Sequence, residues 1–187
     1  MANNVKNAID QLAEFLKSNE EKVVLIKGTH QRKKHKLVFS LMQRAEGFKK
    51  GLFRVNGLNN TADFLKQAGY DIPYNKGFKS GNAYAFRGFN LYIDSLFTQS
   101  TWRNTPSQLD FAIVYPIDSF CDEKADKKQA LINDVLQRKD INKIFIITFT
   151  DVRYDYAWLE DTVDRVIVYD AKDEDPEYHN RVLAGPK

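Results

Sequence analysis

Cysteine is nearly absent from this chain: Cys121 is the only one in 187 residues. A single thiol can form neither a disulfide within the chain nor a cysteine-based zinc site, which excludes both a disulfide scaffold and a zinc finger. Histidine is scarce too, with only His30, His35 and His179. His30 and His35 lie five apart across a loop, unlike the i, i+4 pair of a helical zinc site, so no metal is expected. Long hydrophobic runs are also missing, the longest being about half a dozen residues against the roughly 20 that span a bilayer. Residues 1–22 carry Asp and Glu inside an apolar pattern, which reads as an amphipathic helix and not a signal peptide. A soluble, cytoplasmic chain with no membrane partner is expected. With no internal repeat, low-complexity segment or linker, the sequence predicts one domain over 1–187, carrying an aromatic-rich hairpin insertion at about 77–103.

What is present is the composition of an ordered protein. Hydrophobic residues make up 43% and charged residues 28%, enough apolar surface for one α/β core. The net charge of +3 conceals a gradient. Between Lys27 and Arg54 nine bases face Glu46 alone, whereas from Thr150 to Lys187 ten acids face five bases. A basic region beside a loop suits an anionic partner, although charged helix faces are also ordinary solvated surface.

Val5, Ala8, Ile9, Leu12, Phe15 and Leu16 recur at helical spacing, as do Leu37, Val38, Leu41, Met42, Ala45 and Phe48. Asn60 or Thr61 would cap a short helix that Gly69 ends. Further helices are expected over 124–137 and 156–163. Short apolar runs predict strands at 22–26, 52–55, 111–115, 143–148 and 165–169, and residues 83–87 and 91–94 flank Gly88-Phe89-Asn90 as a β-hairpin. Five buried strands alternating with helices predict an α/β fold: a mostly parallel sheet of about five strands, helices on both faces, plus the inserted hairpin.

The strand at 22–26 runs into Gly28-Thr29-His30-Gln31-Arg32-Lys33-Lys34-His35. A phosphate loop of the Walker A kind reads G-x-x-x-x-G-K-[ST] between a strand and a helix. Gly28 and Lys34 match, Lys33 replaces the second glycine, and His35 replaces the hydroxyl that holds magnesium. On these residues and on the order of its elements, the chain resembles a degenerate P-loop NTPase of the RecA-like or AAA-like kind. That resemblance implies phosphate contacts at Gly28, Thr29, Arg32, Lys33, Lys34 and His35, and ATP or another nucleotide as the ligand, though the residues themselves fix no cofactor. It implies a sensor among Thr148, Thr150 and Asp151 on the fourth strand. The acidic Walker B pair is missing, because Val114 is followed by Tyr115 and Pro116 and the nearest acid is Asp118. Both departures remove magnesium ligands, so inefficient hydrolysis is expected, and a binding protein more than an enzyme.

Lys36, Phe86, Arg87, Phe89 and Tyr92 interleave bases with aromatics, as single-stranded nucleic-acid sites do; packing of the same rings as core stands beside that reading. Cys121 reads as an inert, partly buried thiol, Ser119 lacks a G-x-S-x-G context, and Asp151, Asp155, Glu160, Asp161 and Asp164 read as a solvated helix face. Three functions follow: a pseudoenzyme binding an anionic ligand, foremost nucleic acid; a protein-interaction or inhibitor module that has lost its nucleotide; and an atypical ATPase. The sequence has no signature of oligomeric state.

Overall fold

Val23–Lys27 (β1) opens with four apolar side chains, Val23 to Ile26, buried on both faces, which a strand tolerates only inside a sheet covered above and below. In a computed structural model, which describes residues 3–73, 75–150 and 153–185, β1 lies between two parallel neighbours. The remaining strands are Lys50–Val55 (β2), Ala83–Phe86 (β3), Phe89–Ser95 (β4), Gln108–Tyr115 (β5), Asp140–Ile147 (β6) and Arg165–Val168 (β7). They form one sheet in the order β3-β4-β2-β5-β6-β1-β7. All neighbours are parallel except β3 and β4.

The sheet is therefore mixed and seven-stranded, not a five-stranded one with a separate hairpin. Hairpin strand β4 pairs in parallel with β2, and β3 closes that edge. The turn is also tighter than the predicted 88–90, since Phe86 stands opposite Phe89 across Arg87-Gly88. Gly88 at φ +100 accommodates a two-residue connection, and the pairing turns the Phe89 ring into the core.

Helices cover both faces. Val5–Lys17 (α1), Lys33–Arg44 (α2) and Thr61–Gln67 (α3) bury Ala8, Leu12, Phe15, Val38, Phe39, Met42, Ala62 and Leu65 against one face. Asn4 caps α1 by accepting the Asn7 N–H at 3.1 Å. Ala125–Ile132 (α4) and Ala157–Glu160 (α5) place Leu131 and Leu159 on the other. The helix expected over 124–137 is α-helical only to Ile132 and continues as a π-helical turn, Asn133–Arg138, closed by Lys139 N–H donating to Asp134 O at 3.1 Å.

A last helix, Pro176–Ala184 (α6), was not anticipated. Its signal was present in the sequence: Asp175 accepts from Tyr178 N–H as the cap and Pro176 takes the first turn. The run of acids before it obscured the apolar spacing.

Candidate functional site

The parallel strands deliver their C-terminal ends to one edge, where ligand crevices of α/β sheets form. The loop after β1 sits there, beside the ends of β6 and β7. Gly28 has φ +115 and presses on the backbone after β7: a Cβ would lie 2.2 Å from Tyr169 O. Only glycine fits that approach. Thr29 N–H donates to Asp170 Oδ1 at 2.9 Å, and Thr29 Oγ1 accepts from Ala171 N–H at 2.9 Å. The same hydroxyl lies 2.8 Å from His179 Nδ1 on α6. The loop is thus fastened to the end of the chain.

Lys34, expected from the sequence to bind phosphate, is fully buried. Its ammonium donates to Gly28 O, to Thr148 Oγ1 at 2.9 Å and to Phe149 O at 3.4 Å. It turns inward and joins the loop to the end of β6. His35 is fully buried as well, stacked on Tyr115 with ring centroids 4.3 Å apart and 22° between planes. Its Nε2–H donates to Phe64 O at 3.1 Å. Burial, only partly opposed by that bond, pushes His35 down to about 4, so the ring is neutral at pH 7. Burial likewise raises Tyr115, with the Asp118 charge adding to it.

Asp118, the first acid after β5, faces the main chain. Its oxygens accept from Phe149 N–H at 2.6 Å and Thr150 N–H at 2.7 Å, with the Tyr156 hydroxyl 3.1 Å away. Burial pushes its carboxyl above the usual range, and the two amides pull against that shift. Thr148 and Thr150, the expected sensor residues, are therefore bonded to Lys34 and Asp118. Asp151 lies outside the described residues.

His30 is buried between Tyr169 and Tyr178, at centroid distances of 4.5 and 6.3 Å. Its Nε2 is 3.2 Å from Glu174 Oε2 without hydrogen-bond alignment, and Lys33 Nζ meets the same oxygen at 2.7 Å. Burial lowers His30 against the pull of Glu174. Burial acts to raise Glu174, but Lys33 and His30 outweigh it and hold the carboxyl below its ordinary value.

Of the predicted loop residues, Gly28, Thr29, Lys34 and His35 are thus committed to the interior, while Arg32, Lys33 and Lys36 are exposed. The hairpin sits at the far end of the same helix. A Cβ on Gly88 would be 3.3 Å from Gln43 O, so the turn bearing exposed Arg87 abuts the C-terminal end of α2, beside exposed Arg44. The structure does not assemble Phe86, Phe89 and Tyr92 into one stacking face. Phe89 is 5% exposed and packs on Phe111 at 5.1 Å; Phe86 is half-buried against Tyr70 at 5.0 Å. Tyr92 projects from the opposite side of the sheet, because neighbouring strand residues alternate faces.

Two depressions of about 400 and 360 Å³ flank Tyr178 beside the loop, the first reached by Arg181 and the second by Arg32 and Lys33. Sequence reasoning missed this α6 wall. It also missed a buried Arg54–Asp94–Asp134 group on the other face, signalled only by charged residues inside apolar strands. Among the described residues no cluster of three His, Cys, Asp or Glu side chains is arranged for a metal, and no helix is long and apolar enough to cross a membrane. No protein-family model and no curated protein matches this chain.

Proposed function

We propose that this chain is a P-loop-like binding module that engages an extended polyanion, foremost nucleic acid, along the outside of α2 and does not turn over nucleotide efficiently. One observation carries the reading: the helix that follows the loop divides its cations. Lys34 is buried in carbonyl and hydroxyl contacts, whereas Arg32, Lys36, Arg44 and the adjoining Arg87, together with Lys33 in its pair with Glu174, are exposed from one end of the helix to the other. A helix of 12 residues is about 18 Å long at 1.5 Å per residue. Such a row suits a string of phosphates better than a single nucleotide. With Phe89 in the core, the interaction rests on charge without base stacking, so it is sequence-tolerant and sensitive to salt.

The test is fluorescence anisotropy with short single- and double-stranded DNA across a salt series, alongside an ATPase assay with magnesium. Binding is expected at low salt, with a log–log slope that flattens by about 0.7–0.9 for each phosphate contact removed in Lys36→Glu and Arg44→Glu. Absence of binding at low salt, or a slope indifferent to both reversals, refutes the polyanion. A magnesium-dependent turnover near 1 per second refutes the inactive site. The second reading, a protein-interaction module without nucleotide, draws on the Thr29–His179 and Lys34–Thr148 contacts that close the loop, and becomes the better account if DNA fails to bind.

A further inference from the structure

On the face of the sheet opposite α2, a cleft of about 590 Å³ opens between the 3₁₀ turn Gln99–Asn104 and the π-helical turn Asn133–Arg138. It is larger than either depression beside the loop and falls within the range of small-molecule sites, roughly 300–1,000 Å³. Trp102 and Asp134 belong to its lining and are nearly buried; Ala130, Arg103 and Arg138 share the walls with Gln99, Ser100 and Asn133.

Behind that lining lies the buried charge group. Arg54 is completely enclosed, with its guanidinium carbon 4.5 Å from the Trp102 ring centre, NH1 2.8 Å from Asp134 Oδ2 and NH2 3.3 Å from Asp94 Oδ2. Asp94 Oδ1 accepts from Ser80 Oγ at 2.6 Å, Thr101 Oγ1 at 2.7 Å and Ser95 N–H at 2.8 Å. Arg138 returns one turn along the helix to pair with Asp134. Trp102 is held by its indole N–H donating to Ser95 O at 2.9 Å. Lys139, the next residue, sends its ammonium into oxygens of Trp102, Thr105 and Pro106.

The cations therefore outnumber the anions. Arg54 and Arg138 answer the two carboxylates, Asp94 and Asp134, leaving the Lys139 charge behind the site and Arg103 on its wall. Arg103 has no carboxylate partner among the described residues. The π-helical turn carries both partners, Asp134 buried against Arg54 and Arg138 partly exposed at the rim.

We infer that this cleft binds a small organic anion, its carboxylate or phosphate held by Arg103, with the exposed part of the Asp134-paired Arg138 guanidinium beside it, and its apolar body against Trp102 and Ala130. Guanidinium groups match planar oxyanions in fork geometry. The fixed salt bridges behind them keep Arg138 oriented before the ligand arrives, which lowers the entropy cost of binding. The inference is independent of the polyanion surface, which lies on the other face.

The chain has two tryptophans, so Trp158→Phe identifies the Trp102 indole N–H resonance in nitrogen–proton spectra. Titration of the full chain with 1-naphthoate and 1-naphthyl phosphate is expected to shift that resonance saturably, with Kd below about 1 mM. Neutral 1-naphthalenemethanol is expected to give no saturable shift. Arg103→Glu, an exposed position outside the buried group, should weaken the anions by about tenfold or more, as loss of a charge-assisted bond does. A resonance unmoved by about 10 mM of either anion, an equal response to the neutral compound, or unchanged affinity in Arg103→Glu overturns the inference.

Discussion

Replacing Lys34 separates a buried structural cation from one kept for phosphate. Lys34→Ala removes three methylenes worth about 0.8 kcal/mol each when buried. It also removes two charge-assisted bonds, to Gly28 O and Thr148 Oγ1, at about 2 kcal/mol apiece. Against this stands the desolvation cost of the ammonium, several kcal/mol, which the variant no longer carries. The balance is a loss of about 3 kcal/mol. For a chain of this length that lowers Tm by roughly 6–12 °C, at 2–4 °C per kcal/mol. Lys34→Met keeps the stem, so the lost bonds and the relieved desolvation nearly cancel and the cost should stay below about 1.5 kcal/mol. Lys33→Ala is the control: that side chain is 55% exposed, and its loss should change stability by no more than about 0.5 kcal/mol. Thermal melts followed by circular dichroism, repeated as urea titrations at fixed pH, measure all three. If Lys34→Ala melts within about 1 °C of the unmodified chain, the lysine is not spent on the interior and the argument for a closed loop fails.

Two further outcomes follow from the same edge of the sheet. Gly28→Ala should cost more than about 3 kcal/mol or prevent folding, because a Cβ would meet the Tyr169 backbone in a conformation side chains rarely adopt; a variant that unfolds at an unchanged urea midpoint would contradict the close approach. His35 is held near pKa 4 when folded against about 6.5 when unfolded, so its stabilisation is complete above pH 6.5 and is lost as pH falls toward 4. Between those limits the loss amounts to about 3 kcal/mol at roughly 1.4 kcal/mol per pH unit, and His35→Gln should flatten the urea-midpoint profile from pH 7 to 4. Equal pH profiles for the two proteins would show that His35 is not buried in its neutral form.

The elements with a local signal were legible in the chain before it folded. Val23-Val24-Leu25-Ile26 is uniformly apolar, and only a strand covered on both faces buries such a run. Val38 and Met42 recur at helical spacing, which places α2 after the loop whatever it packs against. The change of register from loop to helix at 28–35 was legible for the same reason. What those residues do there was not. Whether Lys34 faces a ligand or the interior depends on Thr148, 114 residues away, and the lock on Thr29 depends on His179, 150 residues away. The hairpin strands read as an insertion, and only the pairing of Lys50–Val55 with β4 makes them the edge of the sheet. Arg54 in an apolar strand is an anomaly in the sequence; it is accounted for only once Asp94 and Asp134 meet its two terminal nitrogens. Periodicity reports which side of an element avoids water, whereas the charge state and role of a polar side chain are set by groups that reach it through space, and only the folded chain places those groups.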